Sequence, residues 1–490
     1  MSGLIEARSL INGSWVESER VALVSDYEGK PRMRLYGVTD TQVRIAKRCA
    51  LQLREELAAV PLETLIRVVK RAGRQYFTDA QDCQSVALLS GSPITYVNDA
   101  MAHIREFLCN IELYIQSAFG APSYERVPVI VDGNEIAYRV HVPTGPVVAV
   151  IPQNDDGVSA YVLAQLFLSK NPAIVKPSSR GGSAFSTIHF IEALHAAIDV
   201  EAPQYPCLRR ALQLINVLDD DGKDRTRQVV DLAVDGATIV LFGSSETVGE
   251  LQTAITAAIK PRRIVSLGTG FSVTLVMPDA DLARCVEDVV GSVLEDRGNK
   301  CTTTHVLYLH EDIYDALLAE LRRRTATLPD HGPLDPRAVT GCLDDETRTA
   351  VERRLLALNP HHALSARDSP FAILETDEHA PVEELPGIIL FVKKVVSVEH
   401  FCELHARDRS HANVEQGLTI SVYTVDDRTV QHVAMHASTH LVKWNLPTNA
   451  INLFLEHQGL FILRELLEPR LVEHAQLRLP LLRRENEVHQ

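Results

Sequence analysis

The stretch Pro143-Thr-Gly-Pro-Val-Val-Ala-Val-Ile-Pro-Gln-Asn154 is the part of this chain that says most about its architecture. Its centre, Val147 to Ile151, contains only apolar residues, which is typical of a parallel strand buried on both faces. Proline and glycine residues, which favour turns, lie just before this run, and Asn154 lies just after it. We therefore predict a buried strand of an α/β sheet, with an asparagine at its carboxyl end.

Strands and helices alternate after this stretch. Further short apolar runs predict strands, and helical patterns lie between them. Asp279-Ala-Asp281 opens one of these helices with acidic residues, which suit the positive end of the helix dipole. The alternation predicts an α/β protein with two doubly wound domains. The predicted strands cover residues 173–175, 238–242, 273–276, 306–309, 388–392 and 418–423.

Two segments depart from this alternation. Residues 39–120 are helical by the periodicity of their apolar positions. Residues 128–142 predict a β-hairpin, because two β-rich arms flank Asp132-Gly133, a strong signal for a tight turn. The tail from Arg470 onward alternates weakly between apolar and polar residues, which favours an edge strand.

Length, charge and cysteine content narrow the class of protein. The 490 residues predict two or three domains, and 46% hydrophobic with 23% charged residues is ordinary for a globular protein. The net charge of −15 argues against nucleic acid or an acidic membrane as a partner. The eight cysteines include no C-x-x-C pair, which predicts neither disulfides nor a zinc site and favours a reducing compartment. Without a signal-peptide pattern or an apolar run of about 18 residues, we predict a cytoplasmic protein with no membrane span.

The segment Arg297-Gly-Asn-Lys-Cys301-Thr-Thr-Thr-His305 is the main candidate for chemistry. A lone cysteine is usually a small buried apolar residue. Here it follows a glycine and two basic residues, Arg297 and Lys300. Positive charge of this kind lowers the pKa of a thiol, and the thiolate is the nucleophilic form. The segment therefore predicts a reactive cysteine.

Six segments resemble motifs of the aldehyde dehydrogenase superfamily, in the family's order and near its spacing. Each segment alone is a weak signal, and the six together are a strong one. The resemblance covers about residues 10 to 455. The segments are Leu10-Ile-Asn-Gly-Ser-Trp-Val16, the stretch 143–154, Asn171-Pro-Ala-Ile-Val-Lys-Pro-Ser-Ser179, Pro278-Asp-Ala-Asp-Leu282, Gly298-Asn-Lys-Cys301 and Glu384-Leu-Pro-Gly387.

The resemblance implies an α/β, aldehyde-dehydrogenase-like fold in three parts. A nucleotide-binding domain would comprise residues 1–126 and 144–263, and a catalytic domain would comprise residues 264–455. Residues 127–143 and 456–490 would form a small β-flap through which family members associate. We therefore expect a homodimer or a homotetramer.

The resemblance also implies roles for single residues. Cys301 stands at the position of the nucleophile, which forms a thiohemiacetal with an aldehyde or a thioester with an acyl group. Asn154 stands at the position of the amide that completes the oxyanion hole with the Cys301 backbone N–H, and such donors typically contribute about 3 kcal/mol each. The other implied residues bind the cofactor: Lys176 and Glu384 at its riboses, Gly243, Ser244, Ser245 and Gly249 in its phosphate turn, and Gly268.

The sequence departs from the family pattern at the general base. The family's E-L-G-G segment, whose glutamate activates water against the enzyme thioester, reads Ser266-Leu-Gly-Thr269 here. Serine is no base at neutral pH without a partner. In the family this loss is typical of branches that exchange the acyl group with a thiol. We therefore predict an oxidoreductase that interconverts an acyl thioester and an aldehyde, chiefly by reduction.

Two alternatives stay open. One is an ordinary dehydrogenase that oxidises an aldehyde to a carboxylate, with Glu295 or Asp296 as the replacement base. The other is a non-catalytic relative that acts as a binding or scaffold subunit, although Cys301 and Asn154 are retained.

The predicted partner is a small aldehyde or acyl thioester, carried on coenzyme A or on an acyl-carrier protein. Four residues of the helical region fit an apolar funnel for the acyl chain and a packed core equally well: Phe107, Leu108, Leu113 and Tyr114.

A second departure concerns the cofactor. The family's K-P-S-E glutamate, which binds the adenosine ribose and repels a 2′-phosphate, is Ser179 here, and Arg180 follows it. A small hydroxyl beside a guanidinium accommodates a phosphate better than a carboxylate does. NADP(H) is therefore favoured over NAD(H). The segment from Lys176 to Gly182 also resembles, over a short distance, the fatty-acyl reductases of bacterial luminescence. No pattern of metal ligands is present in the sequence.

Overall fold

The computed structural model describes residues 4–152, 156–179, 181–218, 225–268, 270–326, 328, 331–342, 349, 351–354, 357, 371–383, 385 and 387–473. Nineteen strands lie within these ranges. In chain order they are β1 (Ile5–Ala7), β2 (Ser9–Ile11), β3 (Ser14–Val16), β4 (Val21–Ser25), β5 (Pro31–Tyr36), β6 (Val127–Val131), β7 (Asn134–Pro143), β8 (Val147–Val150), β9 (Ala173–Lys176), β10 (Leu212–Leu214), β11 (Thr238–Phe242), β12 (Arg263–Leu267), β13 (Ser272–Val276), β14 (Thr304–His310), β15 (Ala372–Glu375), β16 (Ile389–Val395), β17 (Gly417–Tyr423), β18 (Thr439–Trp444) and β19 (Leu467–Glu473).

Fifteen α-helices with defined bounds and three short 3-10 helices lie in the same ranges, and residues 349, 351–354 and 357 are helical as well. None of the helices described there is long and apolar enough to cross a membrane. The 3-10 helices span Pro206–Arg210, Glu295–Gly298 and Glu311–Ile313. The α-helices are α1 (Asp40–Gln52), α2 (Arg54–Ala58), α3 (Leu62–Gln75), α4 (Ala80–Ser90), α5 (Ile94–Cys109), α6 (Ile111–Phe119), α7 (Val158–Leu168), α8 (Gly182–Glu201), α9 (Arg225–Leu232), α10 (Ser245–Ala258), α11 (Leu282–Leu294), α12 (Tyr314–Thr325), α13 (Val398–His411), α14 (Asp427–His436) and α15 (Ile462–Glu465).

The first large sheet has seven strands in the order β12-β11-β8-β9-β10-β2-β3. Its strands from β12 to β10 are parallel, and β2 and β3 continue it in antiparallel pairing. The predicted buried strand of the 143–154 stretch is β8, which lies inside this sheet with all four of its residues buried. The parallel strands end at their carboxyl side with Val150, Lys176, Phe242 and Leu267.

The second large sheet has six strands in the order β15-β16-β14-β13-β17-β18, and every adjacent pair in it is parallel. Helix α11 precedes β14 and begins where the sequence predicts, because the Asp281 carboxylate accepts a hydrogen bond from the Arg284 backbone N–H at 3.2 Å. Two helix-covered sheets, one mainly and one entirely parallel, confirm the predicted α/β fold class.

A smaller antiparallel sheet has the order β19-β7-β6. The predicted hairpin is β6 and β7, and its turn residues Asp132 and Gly133 both have positive φ, +48° and +75°, as a type I′ turn requires. The tail adds β19, which pairs with β7 from Leu467 to Glu473. The role of this sheet in oligomerisation and the domain boundaries stay predictions. A fourth sheet of three strands has the order β1-β5-β4.

Helix α7 occupies the centre of the larger hydrophobic core. Its residues from Ser159 to Leu168 are all buried, and helices α3, α5 and α8 contact it. A helix that is apolar all round is stable only when other elements surround it. The first turn of α7 therefore sits in a rigid setting, directly after the segment that contains Asn154, which lies outside the described residues.

Candidate active site

A cleft of about 1890 Å³ opens at the carboxyl ends of the parallel strands of the first sheet. Residues at or just after the ends of β8, β9, β11 and β12 line it, among them Pro152, Lys176, Gly243 and Gly268. Cys301 lines the same cleft from the side of the second sheet. In open α/β sheets ligands bind in crevices at this edge. The fold thus brings the candidate nucleophile and the candidate nucleotide-binding turns into one cavity.

Six of the residues predicted for the site line this cleft: Lys176, Ser179, Gly243, Ser244, Gly268 and Cys301. Ser245 is the first residue of α10 and Gly249 lies in the second turn of that helix. Gly249 is not among the described residues that line the cleft, and contact of either residue with a cofactor stays a prediction. Asn154, Arg180 and Glu384 lie outside the described residues.

The amino end of α10 borders the cleft and is suited to an anion. Ser244 caps this helix, since its hydroxyl oxygen accepts a hydrogen bond from the Thr247 backbone N–H at 3.2 Å. The free N–H groups of a first helical turn carry partial positive charge and bind phosphate groups. Gly243 adds no side chain between this turn and the cleft. The residues here therefore fit the phosphates of a nucleotide, as the glycine-containing turn predicts.

Gly270 and Ser272 both contact the backbone carbonyl of Cys301. The Ser272 hydroxyl donates a hydrogen bond to the Cys301 carbonyl at 3.0 Å. A Cβ atom at Gly270 would lie 2.0 Å from the same carbonyl oxygen. Because Gly270 has no side chain, its backbone packs directly against the backbone of Cys301. The position of the thiol therefore depends on a close backbone contact that only glycine allows.

The chain enters this loop through an unusual backbone. Asp296, Arg297 and Gly298 are three consecutive residues with positive φ, at +47°, +59° and +72°. Non-glycine residues rarely adopt this conformation, and it persists where the surroundings hold it. At Gly298 a Cβ atom would lie 2.0 Å from the carbonyl oxygen of Gly387. Close packing thus fixes the course of the chain into the cleft.

The two basic residues beside Cys301 are bound to other groups. The Arg297 guanidinium donates hydrogen bonds to the backbone carbonyls of Ser90 and Cys342. The Lys300 ammonium forms an ion pair with Glu295 at 2.7 Å. Both side chains therefore anchor the segment that leads to the thiol, in addition to any electrostatic effect they have on it.

A third cation, Lys443, also lines the cleft, and sequence reasoning missed it. It lies on β18 with only 7% of its surface exposed. Burial lowers the pKa of Lys443 to about 8, while Glu295 and Cys301 act in the opposite direction. The sequence signal that could have found it is a lysine between apolar residues in a β-rich stretch.

The two carboxylates that the sequence offers as replacement bases are held in place by donors. Glu295 belongs to the ion pair with Lys300. Asp296 is buried, accepts a hydrogen bond from the Ser92 hydroxyl at 3.0 Å and lies 3.4 Å from the Arg297 guanidinium. Neither carboxylate is among the described residues that line the cleft. Both carboxylates are therefore already engaged by neighbouring groups.

Part of the lining of the cleft is apolar. Three of the four helical residues that fit a funnel or a core belong to the core: Phe107, Leu108 and Tyr114 are fully buried, whereas Leu113 is exposed. Other side chains provide the apolar wall. They are Ile104, Val158, Tyr161, Ile451, Leu453, Leu455 and Phe461.

Comparisons with known proteins agree with this arrangement. The sequence profile of the Aldehyde dehydrogenase family matches residues 15–357. The hydroxyisobutyraldehyde dehydrogenase of Mycolicibacterium austroafricanum is 24% identical over 416 residues, which are 79% of this chain and 77% of that protein. The acylating sulfoacetaldehyde dehydrogenase of Bilophila wadsworthia is 27% identical over 183 residues, 37% of this chain and 35% of that protein. The match to aldehyde dehydrogenase family 7 member A1 of Malus domestica, 27% identical over 226 residues, spans less than half of that protein, 43%.

Solved structures share the whole fold. The HpcC protein of Thermus thermophilus superposes with a TM-score of 0.78 at 20% identity, over 95% of this chain and 92% of that one. The glyceraldehyde-3-phosphate dehydrogenase GapN of Methanocaldococcus jannaschii, solved with NADP, superposes with a TM-score of 0.77 at 16% identity, over 94% of this chain and 100% of that one. The chain belongs to the aldehyde dehydrogenase family. It is therefore an oxidoreductase of the class that uses a nicotinamide dinucleotide.

Proposed function

We propose that this protein interconverts an acyl thioester and an aldehyde through a covalent thioester on Cys301, mainly in the reductive direction. One observation carries the proposal: Ser266 occupies the position of the family's general base. Without that carboxylate, water is a poor acceptor for the acyl group, so the intermediate persists until a thiol or a hydride reaches it.

The surroundings of Ser266 support this reading. Ser266 is half-buried on β12, and the next two residues of the chain, Leu267 and Gly268, line the cleft. Glu295 and Asp296, the nearest carboxylates along the chain to Cys301, are engaged by donors as described above. The partial similarity to an acylating sulfoacetaldehyde dehydrogenase also agrees with acyl transfer to a thiol.

The chain's own groups would act as follows. The Cys301 thiolate attacks the carbonyl carbon of the acyl thioester, and the resulting oxyanion is bound by the Cys301 backbone N–H and the Asn154 amide. When the oxyanion collapses, the bond to the leaving sulfur breaks, and the leaving group departs as a thiolate that takes a proton from water. Cys301 then holds the acyl group as a thioester, out of reach of a general base. A dinucleotide held by Lys176 and the Gly243 turn would supply the hydride that the carbonyl carbon takes up in this reduction. Release of the aldehyde breaks the bond between its carbon and the Cys301 sulfur.

The residues proposed for the dinucleotide are polar where its polar groups would lie. Lys176 and Glu384 would bind its riboses, and the Gly243 turn would bind its phosphates. Ser179 is followed in the sequence by Arg180, and a small hydroxyl next to a basic residue favours a 2′-phosphate, so we propose NADP(H) over NAD(H). Gly268 would border the cofactor from the β12 side. Ser245 and Gly249 would contribute through the first turns of α10.

Changing Ser179 to glutamate should selectively weaken NADPH binding. A carboxylate beside the 2′-phosphate is expected to make the binding free energy of NADPH less favourable by about 1–3 kcal/mol. This raises the dissociation constant roughly 5-fold to 150-fold. Fluorescence titration with NADPH and with NADH measures the effect. Ser179→Gln, which has the same size without the charge, is the matched control. Equal or tighter binding of NADH by the unmodified protein would contradict the proposed preference.

Changing Gly270 to alanine should displace Cys301 and lower turnover. The added methyl group would collide with the Cys301 carbonyl, and a shift of about 1 Å at a reacting group costs on the order of 100-fold in rate. Steady-state rates and the thermal midpoint measure the effect. Gly291→Ala is the matched control, because a Cβ at this helical glycine contacts nothing within 4 Å. Full activity of the Gly270→Ala protein would refute the role assigned to this contact.

The apolar wall of the cleft favours an apolar acyl group, presented on coenzyme A or on an acyl-carrier protein. Scattered cysteines with no C-x-x-C pair in the sequence agree with a reducing compartment such as the cytoplasm. Association into a homodimer or homotetramer through the β19-β7-β6 sheet is part of the proposal.

Oxidation of an aldehyde to a free acid is the second candidate, because relatives such as the hydroxyisobutyraldehyde dehydrogenase carry dehydrogenase names. The deciding experiment incubates the protein and NADPH with a panel of acyl-CoA and acyl-carrier thioesters and measures aldehyde. Aldehyde formation supports the reductase. Its absence, together with steady oxidation of aldehydes to acids without a thiol, supports the dehydrogenase.

A further inference from the structure

A single loop forms much of one wall of the cleft. Residues 446–461, which we call the wall loop, lie between β18 and α15, and all of them are described. Most of them line the cleft, including the apolar residues Ile451, Leu453 and Leu455. The wall loop contains no helix or strand with defined bounds. Contacts with neighbouring side chains therefore have a large part in fixing its shape.

Lys443 binds the first part of the wall loop. Its Nζ donates hydrogen bonds to the Thr448 carbonyl at 2.6 Å and to the Ala450 carbonyl at 3.0 Å. Only 7% of Lys443 is exposed, so water competes little for these acceptors. Hydrogen bonds from a charged donor are strong where water is excluded. One buried ammonium thus fixes two carbonyls that come just before Ile451.

Two further contacts join the start of the wall loop to the segment that carries Cys301. The Thr448 hydroxyl lies 2.8 Å from the hydroxyl of Thr304, which follows Cys301 closely in the chain. The Asn449 amide donates a hydrogen bond to the carboxylate of Glu295, which precedes Cys301. The wall loop is therefore attached to this segment on both sides of the thiol.

A last contact fixes the far end of the wall loop. The Gln458 side-chain amide donates a hydrogen bond to the Gly268 carbonyl at 2.9 Å, just beyond the end of β12. Along the chain, Ile451, Leu453 and Leu455 lie between this contact and the carbonyls that Lys443 binds. The apolar part of the loop is thus held at both ends.

We propose that Lys443 is a positioning residue that sets the selectivity for the acyl group, because it holds the apolar part of the wall loop in place beside Cys301. A wall that is already ordered binds an apolar chain without the entropy loss of ordering the loop. In this role Lys443 transfers no proton and forms no bond to the substrate. The inference rests on the proposed function only in placing the acyl group against this wall.

The test is the dependence of kcat/KM on acyl chain length, measured with NADPH and linear acyl-CoA thioesters from acetyl to dodecanoyl. In the unmodified protein kcat/KM should rise by up to roughly 4-fold for each methylene group that the wall buries. Lys443→Met has a similar length but no N–H donors. Its rise should be flatter, and kcat/KM for the long chains should fall about 10-fold or more, mainly through a higher KM. Lys443→Arg keeps donors and should restore part of the rise.

Lys170→Met is the matched control. Lys170 is 6% exposed and ion-paired with Glu125, but it is not among the described residues that line the cleft. Its replacement should leave the dependence on chain length as it is. Asn449→Ala breaks the contact with Glu295 and should also flatten the rise. It decides the outcome together with Lys443→Arg if Lys443→Met does not fold.

Hydrogen–deuterium exchange gives a readout that needs no turnover. In Lys443→Met, exchange should increase in peptides from residues 446–461 and stay the same in the β19-β7-β6 sheet. Three results would overturn the proposal: unchanged exchange in the wall loop, an unaltered chain-length dependence in Lys443→Met, or an equal flattening in Lys170→Met. If the protein reduces no thioester, linear aldehydes with NADP⁺ provide the same chain-length series. Failure to form aldehyde would therefore count against the proposed function alone.

Discussion

Replacing Cys301 with alanine should abolish turnover while leaving folding and cofactor binding nearly intact. The thiol carries the covalent step, and loss of a nucleophile typically costs on the order of 10³-fold or more. The side chain is only partly buried, so its removal leaves little cavity. Steady-state rates, NADPH titration and the thermal midpoint together measure these effects. Mass spectrometry after mixing the unmodified protein with an acyl thioester should find the acyl group on Cys301.

Cys402→Ala is the matched control for this variant. Cys402 is also a partly buried cysteine, and it lies on α13 rather than among the described residues of the cleft. Its replacement should leave turnover unchanged. Acylation of another cysteine, or full activity of Cys301→Ala, would end the assignment of Cys301 as the nucleophile.

Without a base at position 266, the acyl–Cys301 intermediate should hydrolyse slowly. General-base assistance is typically worth a factor of about 10² to 10⁴, so the difference is large enough for a simple assay. Starting from an aldehyde and NADP⁺, we expect a rapid burst of one NADPH per active site, followed by a slow phase. Added coenzyme A should accelerate the slow phase, because a thiol takes the acyl group without base-activated water. Stopped-flow absorbance of NADPH resolves both phases.

Two variants at position 266 refine this experiment. Ser266→Glu restores the carboxylate of the family and should speed the slow phase. Ser266→Gln has the same size without basicity and should not. A steady, fast oxidation of aldehydes to free acids by the unmodified protein, with no thiol present, would replace the reductase by an ordinary dehydrogenase.

Local patterns along the chain predicted much of the fold. The run around Val147 predicted β8 because a strand buried on both faces of a parallel sheet has few polar positions. Asp132-Gly133 predicted the β6–β7 turn because both residues tolerate positive φ. The acidic residues ending at Asp281 predicted the start of α11, where the carboxylate now caps the helix. The resemblance carried by six short motifs then led to the correct family.

The chemistry of the site depends on contacts that no local pattern contains. From the sequence, Arg297 and Lys300 were the expected cations for Cys301, and Glu295 and Asp296 the available carboxylates. In the folded chain these four groups mostly form ion pairs with one another and hydrogen bonds to the backbone. Folding brings Lys443 into the cleft instead, from a strand far along the chain.

The residue types at Cys301, Ser266 and Ser179 follow from the chain alone, and with them the reaction class and cofactor that we propose. The partners of those residues follow only from the tertiary structure. Hydrogen bonds and charge interactions act over a few ångströms in space, whatever the separation in sequence. A backbone contact such as that between Gly270 and Cys301 exists only once both sheets are assembled. Residue identity therefore sets which chemistry is available here, and three-dimensional packing decides which groups carry it out.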